Sequence, residues 1–197
     1  MPAEKTDLIL IGTREKAMSR WAALLRGVNV GGDTALPMAQ LRQLLKDIGF
    51  RNVRTLLTFG NAVFDVDGLE APAIEALLEQ EAAERIELSM DFLVRSDDDI
   101  AALVSANPFP DVAGARPDQL VVAFGRGAAP ADLPQRLAAF YDGSERIVVR
   151  GREMYIDFPD GQGRSKLWSA VAKLKLGGIG TARNWNTVLK LHAALQR

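Results

Sequence analysis

The stretch VRTLLTFGNAVFDV, residues 53–66, predicts a β-hairpin from which the rest of the fold can be placed. Two runs rich in apolar and β-branched residues, 53–57 and 62–66, lie on either side of Gly60-Asn61, a pair that suits a tight turn. Before and after this hairpin the spacing of the apolar residues changes to that of a helix. The stretch therefore predicts two paired strands with a helix on each side.

The helix before the hairpin is predicted to begin at Pro37, whose fixed φ suits the first helical position, and to end at Gly49. The helix after it covers residues 70–85, and a strand of alternating apolar and polar residues follows over 86–94. A buried strand at residues 21–26 precedes both helices. The order β-α-β-β-α-β is that of the ferredoxin-like unit.

The second part of the chain repeats this order imperfectly. A strand at 120–124, a helix from Leu133, a hairpin around Gly151 and a helix capped by Ser165 follow one another. A glycine-rich segment takes the place of a fourth strand, and the last helix is predicted from about residue 183.

The predicted fold class is therefore α+β, with two ferredoxin-like βαββα(β) halves, an imperfect duplication and a C-terminal helix. We place the halves at residues 18–104 and 119–197, joined by a proline- and glycine-rich link at 105–118. Ser96 and the three aspartates after it could suggest a metal site. A hydroxyl cap with acids in the first turn of a helix explains them better.

Residues 1–17 lack a clear pattern, and Met18 opens the well-patterned sequence. We expect the first 17 residues to be a disordered or artefactual extension. A protein that begins at Met18 should therefore melt at the same temperature as the full chain, which calorimetry can check. A large drop in the melting temperature would contradict this expectation.

The composition excludes several classes of chemistry. The 197-residue chain has no cysteine, which excludes disulfides, thiol catalysis and cysteine-ligated metals, and it has one histidine, His192, which we predict to be half-buried. No glycine motif has the spacing of a P-loop or a dinucleotide-binding loop. We expect no metal, no cofactor, no membrane segment and no export signal, and hence a cytoplasmic protein.

Charge is distributed unevenly along the chain. Residues 161–197 contain seven basic residues and no acid, whereas the rest carries a net charge of -8. Such asymmetry can mark an anionic partner, but the basic segment could also dock against the acidic remainder or decorate solvent-exposed helices.

Two segments are candidate anion-binding sites. The first runs from a strand end into a helix start and contains Arg26, Asn29, Gly31 and Gly32, whose backbone N–H groups could face a ligand. Simple turn formation would explain the same residues.

The second segment is the start of the predicted last helix, around Asn184. Four polar residues there share one helical face, and together they could hold a phosphate or carboxylate. A solvated outer face is the alternative. The four are Arg183, Asn186, Thr187 and Lys190.

These segments resemble the bacterial family called domain of unknown function 1697 (DUF1697). The resemblance rests on residues 21–32, Pro37-Met38, Gly49-Phe50, Val53-Arg54-Thr55, Gly60-Asn61, Ser165-Lys166-Leu167 and residues 181–188. It implies a small cytoplasmic α+β protein with duplicated halves and no known activity. The family usually has a basic or amide residue where Asp33 stands and Gln-Ser where Thr58-Phe59 stands. These differences weaken the first loop as an anion site and favour the C-terminal face.

Three functions remain open. The first is a binding module for an anionic, phosphate-bearing small molecule or a nucleic acid, with Arg183, Asn184, Asn186, Thr187, Lys190, Arg26, Asn29, Gly31, Gly32, Gly60 and Asn61 as candidate contacts. The second is an enzyme of unrecognised class that uses neither cysteine nor paired histidines. The third is a structural or oligomeric partner. A pocket between the Arg26 loop and the Arg183 face would favour the first two, and a flat apolar patch the third.

Overall fold

The computed structural model describes residues 19–26, 36–57, 60–87, 89–176 and 178–197. In the first half, the chain forms β1 (Ser19–Leu25), α1 (Met38–Asp47), β2 (Arg51–Thr55), β3 (Asn61–Val66), α2 (Ala71–Ile86), β4 (Phe92–Ser96), α3 (Asp97–Ser105) and α4 (Pro110–Ala115). In the second half it forms β5 (Leu120–Gly125), α5 (Leu133–Ala138), β6 (Arg146–Arg150), β7 (Glu153–Asp157), a 3-10 turn (Gln162–Arg164), α6 (Leu167–Lys173), β8 (Ile179–Asn184) and α7 (Trp185–Leu195).

The strands form two antiparallel four-stranded sheets. The first has the order β2-β3-β1-β4 and the second β6-β7-β5-β8, so each sheet places the first and third strands of its half in the centre. The α+β class with two halves is therefore confirmed, and both halves have the element order of the ferredoxin-like unit.

One hydrophobic core lies between the two sheets and joins the halves. It combines Leu24 of β1, Phe124 of β5, Leu103 of α3 and Trp185 of α7, all of them buried. A second core lies under α1 and α2, and a third under α5 and α6. Each sheet therefore buries both faces, and helix α7 packs in the core that the halves share.

Ion pairs reinforce the contact between the halves. The buried guanidinium of Arg95 in β4 donates to Glu153 at the start of β7 at 2.8 Å. Arg152 pairs with Asp99 of α3 at 3.3 Å, and Tyr155 donates its hydroxyl to Leu103 O at 2.7 Å. Burial raises the pKa of Tyr155 to about 12, so this hydroxyl keeps its proton at neutral pH.

The prediction at the end of the chain is wrong in one respect. Ile179–Asn184 is a strand, β8, which pairs with β5 and completes the second sheet. A Cβ at Gly180 would collide with the side chain of Leu93, so the glycine permits a close approach of β8 to β4. Arg183 therefore lies in a strand, and α7 begins only at Trp185.

Two smaller predictions also need correction. The strand predicted over 86–94 begins at Phe92, because helix α2 continues to Ile86 and ends at Glu87 in a left-handed conformation. The cap at Ser96 is confirmed: its Oγ accepts from Asp99 N at 3.0 Å, and the Asp99 carboxylate accepts from Ser96 N at 3.1 Å.

Candidate functional site

Arg183 lies at the point where the two halves meet. Its side chain leaves β8 and reaches the end of β1 and the start of β3, in the other sheet. It makes five hydrogen bonds: Nε donates to Asn61 Oδ1 (2.6 Å), Nη1 to Thr181 Oγ1 (2.6 Å) and Ala182 O (2.8 Å), and Nη2 to Leu25 O (3.0 Å) and Gly60 O (3.1 Å). We call this arrangement the Arg183 clamp.

The clamp uses the whole guanidinium of Arg183 within the protein. An arginine side chain has five N–H donors, and all five are used here. The acceptors are neutral, so within the described part of the chain no carboxylate bonds this guanidinium. Burial lowers the pKa of Arg183 to about 10, which still keeps it charged at neutral pH. The prediction that Arg183 shares a helical face with Asn186, Thr187 and Lys190 is therefore wrong: the side chain lies in β8 and hydrogen-bonds to the other half.

The other residues predicted near Arg183 separate into caps and surface positions. Asn184 is the N-cap of α7, and its Oδ1 accepts from Thr187 N at 3.0 Å and from the Thr187 hydroxyl at 2.8 Å. Asn186 and Lys190 are exposed on α7, and His192 is half-buried. The predicted polar stripe does not form, because Arg183 precedes the helix.

The candidate residues around the first loop lie in different parts of the structure. Gly60 and Asn61 belong to the Arg183 clamp, and the Asn61 side chain is fully buried. Arg26 is exposed and pairs with Asp91 at 3.1 Å. Asn29, Gly31 and Gly32 lie outside the described residues.

Arg26 does line a cavity with the C-terminal segment. This cavity, of about 460 Å³, also has Trp168, Lys175 and Gly180 in its wall. A pocket between Arg26 and the basic C-terminal segment therefore exists, but without Arg183.

A larger groove runs between strand β2 and helix α7. Two cavities of about 530 and 510 Å³ share Val53, Arg54 and Arg197 in their walls and so form one continuous surface, which we call the β2–α7 groove. Six basic side chains line it, against one acidic residue, Asp65, among the described lining residues. The six are Arg20, Arg42, Lys46, Arg54, Lys190 and Arg197.

Two of these cations hold the helix in place. Arg54 Nη2 donates to Ala194 O at 2.6 Å, and Arg20 Nη1 donates to Leu195 O at 2.8 Å. Both carbonyls are in the last turn of α7, where intrahelical donors are lacking and the helix dipole is negative. Arg20 and Arg54 therefore cap α7 from strands β1 and β2.

The other four cations are available to a ligand. Arg42, Lys46, Lys190 and Arg197 are all exposed. None of them forms an ion pair or hydrogen bond with another residue of the part that the structure describes. The Asp65 carboxylate in the groove lies 4.0 Å from Arg20, so none of these four cations is paired with it.

A family model described as a protein of unknown function, DUF1697, matches residues 18–155. This chain belongs to the DUF1697 family. The match ends before β8, so the likeness of residues 181–188 to the closing motif of DUF1697 rests on those residues themselves.

The DUF1697 chain is similar in structure to the conserved bacterial protein SP0830 from Streptococcus pneumoniae. The TM-score is 0.71 at 24% sequence identity, over 91% of this chain and 99% of that chain. At this identity the likeness shows a common fold. A search of curated protein sequences finds no match.

A polar cluster on the second half of this DUF1697 protein is a second candidate site. The Glu145 carboxylate accepts from the Tyr141 hydroxyl at 2.8 Å and from the Ser165 hydroxyl. Partial burial, with the nearby carboxylate, raises the pKa of Tyr141. Ser165 Oγ also accepts from Leu167 N, the first N–H of α6, at 3.0 Å, although the N-cap of this helix is Lys166. These hydroxyls are bonded to the Glu145 carboxylate and to the start of α6, so the cluster has a structural role.

Within the described residues of the DUF1697 chain, no cluster of histidine, cysteine, aspartate or glutamate could hold a metal ion. The same residues include no helix that is long and apolar enough to cross a bilayer. The β2–α7 groove, with its four free cations, is therefore the candidate functional site.

Proposed function

We propose that this protein is a binding module for a phosphate-bearing anion, which it holds in the β2–α7 groove. The observation that carries the proposal is the set of four exposed cations, Arg42, Lys46, Lys190 and Arg197, that share one groove and form no ion pair with a described residue. The acidic residue among the described lining residues, Asp65, lies 4.0 Å from Arg20. Surface cations elsewhere on the molecule often pair with acids, as Arg51 does with Asp67.

The walls of the groove support this function because their positions are fixed. Arg20 and Arg54 hold the C-terminal turn of α7 against the first sheet, and Asp65 accepts from Asn52 at 2.6 Å. The free cations therefore project from a preorganised surface, which reduces the entropy lost when a ligand binds.

The test removes one cation from each wall of the groove. We expect the double variant Arg42→Gln/Lys190→Gln to lose most of its affinity for a phosphate-bearing ligand, on the order of tenfold or more, since each lost contact to a charged group is worth about 1 kcal/mol. The ligands are inorganic polyphosphate, nucleoside triphosphates and a single-stranded oligonucleotide. Thermal shift gives a first ranking and calorimetry the affinities.

The matched control is Arg136→Gln/Lys173→Gln. It changes the net charge equally, but its residues are exposed on α5 and α6, away from the groove. It should bind as the parent does. If no anion of the panel stabilises the parent protein, or if both double variants lose affinity equally, the proposal fails.

A further inference from the structure

The geometry of the groove also restricts the kind of anion, if the proposed function holds. A compact phosphate site gathers donors around one point and usually includes backbone N–H groups at a helix N-terminus. Here the opposite ends of helices face the groove. Lys46 stands in the last turn of α1, and the end of α7 presents the carbonyls of Ala194 and Leu195.

The cations lie on both walls of the groove and in both of its cavities. Arg42 and Lys46 come from α1, Lys190 comes from α7, and Arg197 follows that helix. They line different parts of the two joined cavities, since Arg42 and Lys190 are in the first and Lys46 is in the second. Charges spread along an open groove match a chain of phosphates better than a single phosphate group.

The groove offers apolar contacts beside these charges. Leu56, Leu57 and Ala193 lie in its wall, and the Leu57 side chain is 42% exposed. Inorganic polyphosphate has no apolar part that could use them, whereas the sugars and bases of a nucleic acid do.

The same wall has little with which to read a base sequence. No aromatic side chain is among the described lining residues, and their one amide, Asn52, is bonded to Asp65. Aromatic stacking of bases is therefore absent there, and the free donors are cations, whose contacts with phosphates carry no sequence information.

We infer that the ligand of the β2–α7 groove is single-stranded nucleic acid, held by its backbone without base recognition. In proteins that bind single strands without sequence preference, a positively charged groove follows the backbone. The apolar wall at Leu56 and Leu57 would contact the bases here, in place of the aromatic side chains usual in such grooves.

The inference is tested by fluorescence anisotropy with labelled oligothymidylates of about 4 to 16 nucleotides, a range typical for such grooves. Affinity should rise with length until the groove is filled. Unstructured DNA and RNA strands of different sequence should bind within a few-fold of each other, and a duplex more weakly. For single strands, neutralising two phosphate contacts should reduce the slope of log K against log salt by about 1.4.

The variant Arg42→Gln/Lys190→Gln should show this smaller slope, and Arg136→Gln/Lys173→Gln should not. A third variant, Arg26→Gln/Lys175→Gln, probes the cavity beside Trp168. Loss of oligonucleotide binding in that variant alone would place the site there and overturn the inference.

The remaining outcomes separate the inference from the proposed function. If polyphosphate binds and needs Arg42 and Lys190 while oligonucleotides do not bind, the proposed function stands and the nucleic-acid inference is wrong. Strong preference for one base sequence, or for a duplex, would also overturn the inference. If no phosphate-bearing ligand binds, both fail.

Discussion

Replacing Arg183 by methionine is expected to lower the free energy of unfolding by about 2–4 kcal/mol. The substitution leaves the Asn61 amide oxygen and the carbonyls of Leu25 and Gly60 without the donor they have in the clamp. Leu25 O keeps the Thr181 hydroxyl at 3.2 Å and Gly60 O keeps Leu25 N at 2.9 Å, so these carbonyls lose one hydrogen bond each and are not left unpaired. A hydrogen bond to a charged group is worth about 1.5–3 kcal/mol. Removal of a buried charge recovers part of this cost, which is why the expected loss is smaller than the sum.

Urea denaturation measures the loss, and two further variants interpret it. Arg183→Lys keeps the charge but offers three donors from one nitrogen, so it should also destabilise the protein. Lys190→Met makes a similar change on the exposed face of α7 and should be nearly neutral. If Arg183→Lys were as stable as the parent, charge alone and not the five-bond geometry would matter. A neutral Arg183→Met would contradict the clamp.

The cost of Arg183→Met should not depend on pH in the neutral range. The pKa of Arg183 in the folded protein, about 10, is below the usual value of 12.5, so the folded state binds this proton more weakly than the unfolded state. The contribution of this group to stability therefore rises only as the pH increases from about 10 towards 12.5, and it is constant below that window. Denaturation at about pH 6 and about pH 8 should give the same difference between variant and parent.

Helix caps and turns, whose partners lie close by in the sequence, can be predicted from the sequence. Ser96 caps α3 as its hydroxyl predicts, with Asp99 bonding back to it, and Gly49 and Gly151 have the positive φ that a helix end and a hairpin turn require. In these cases the partner of each group lies within a few residues along the chain, so the sequence contains the whole interaction.

Strand β8 could not be predicted in the same way. Glycines at 178 and 180 weaken any strand pattern, and the reason for Gly180 is the side chain of Leu93, which is distant in sequence. A helix that begins at residue 183 places Arg183, Asn186 and Lys190 on one polar face. A shift of the helix start by two residues removes that face.

The groove depends even more on tertiary structure. Arg42 and Lys46 are four residues apart and share one face of α1, a signal that is visible in the sequence. That α7 lies beside β2, which brings Lys190 to the same groove, follows from the packing of the second half on the first. The sequence indicated a basic surface at the C-terminal end, and only the fold supplies its other wall.

The last prediction concerns Trp185, the first residue of α7. Its side chain is 4% exposed and lies in the core between the sheets, and its backbone N–H donates to Pro117 O at 3.1 Å. Trp185→Ala should therefore lower the free energy of unfolding by about 3–5 kcal/mol, because truncation of a buried tryptophan loses its transfer free energy and leaves a cavity.

Trp168→Ala is the control: that side chain is only partly buried, so its loss should cost clearly less. Urea denaturation of both variants decides the matter, and equal losses, or a near-neutral Trp185→Ala, would show that α7 does not hold the two sheets together. Because α7 also forms one wall of the β2–α7 groove, Trp185→Ala should weaken anion binding as well, although Trp185 is not among the residues that line the groove.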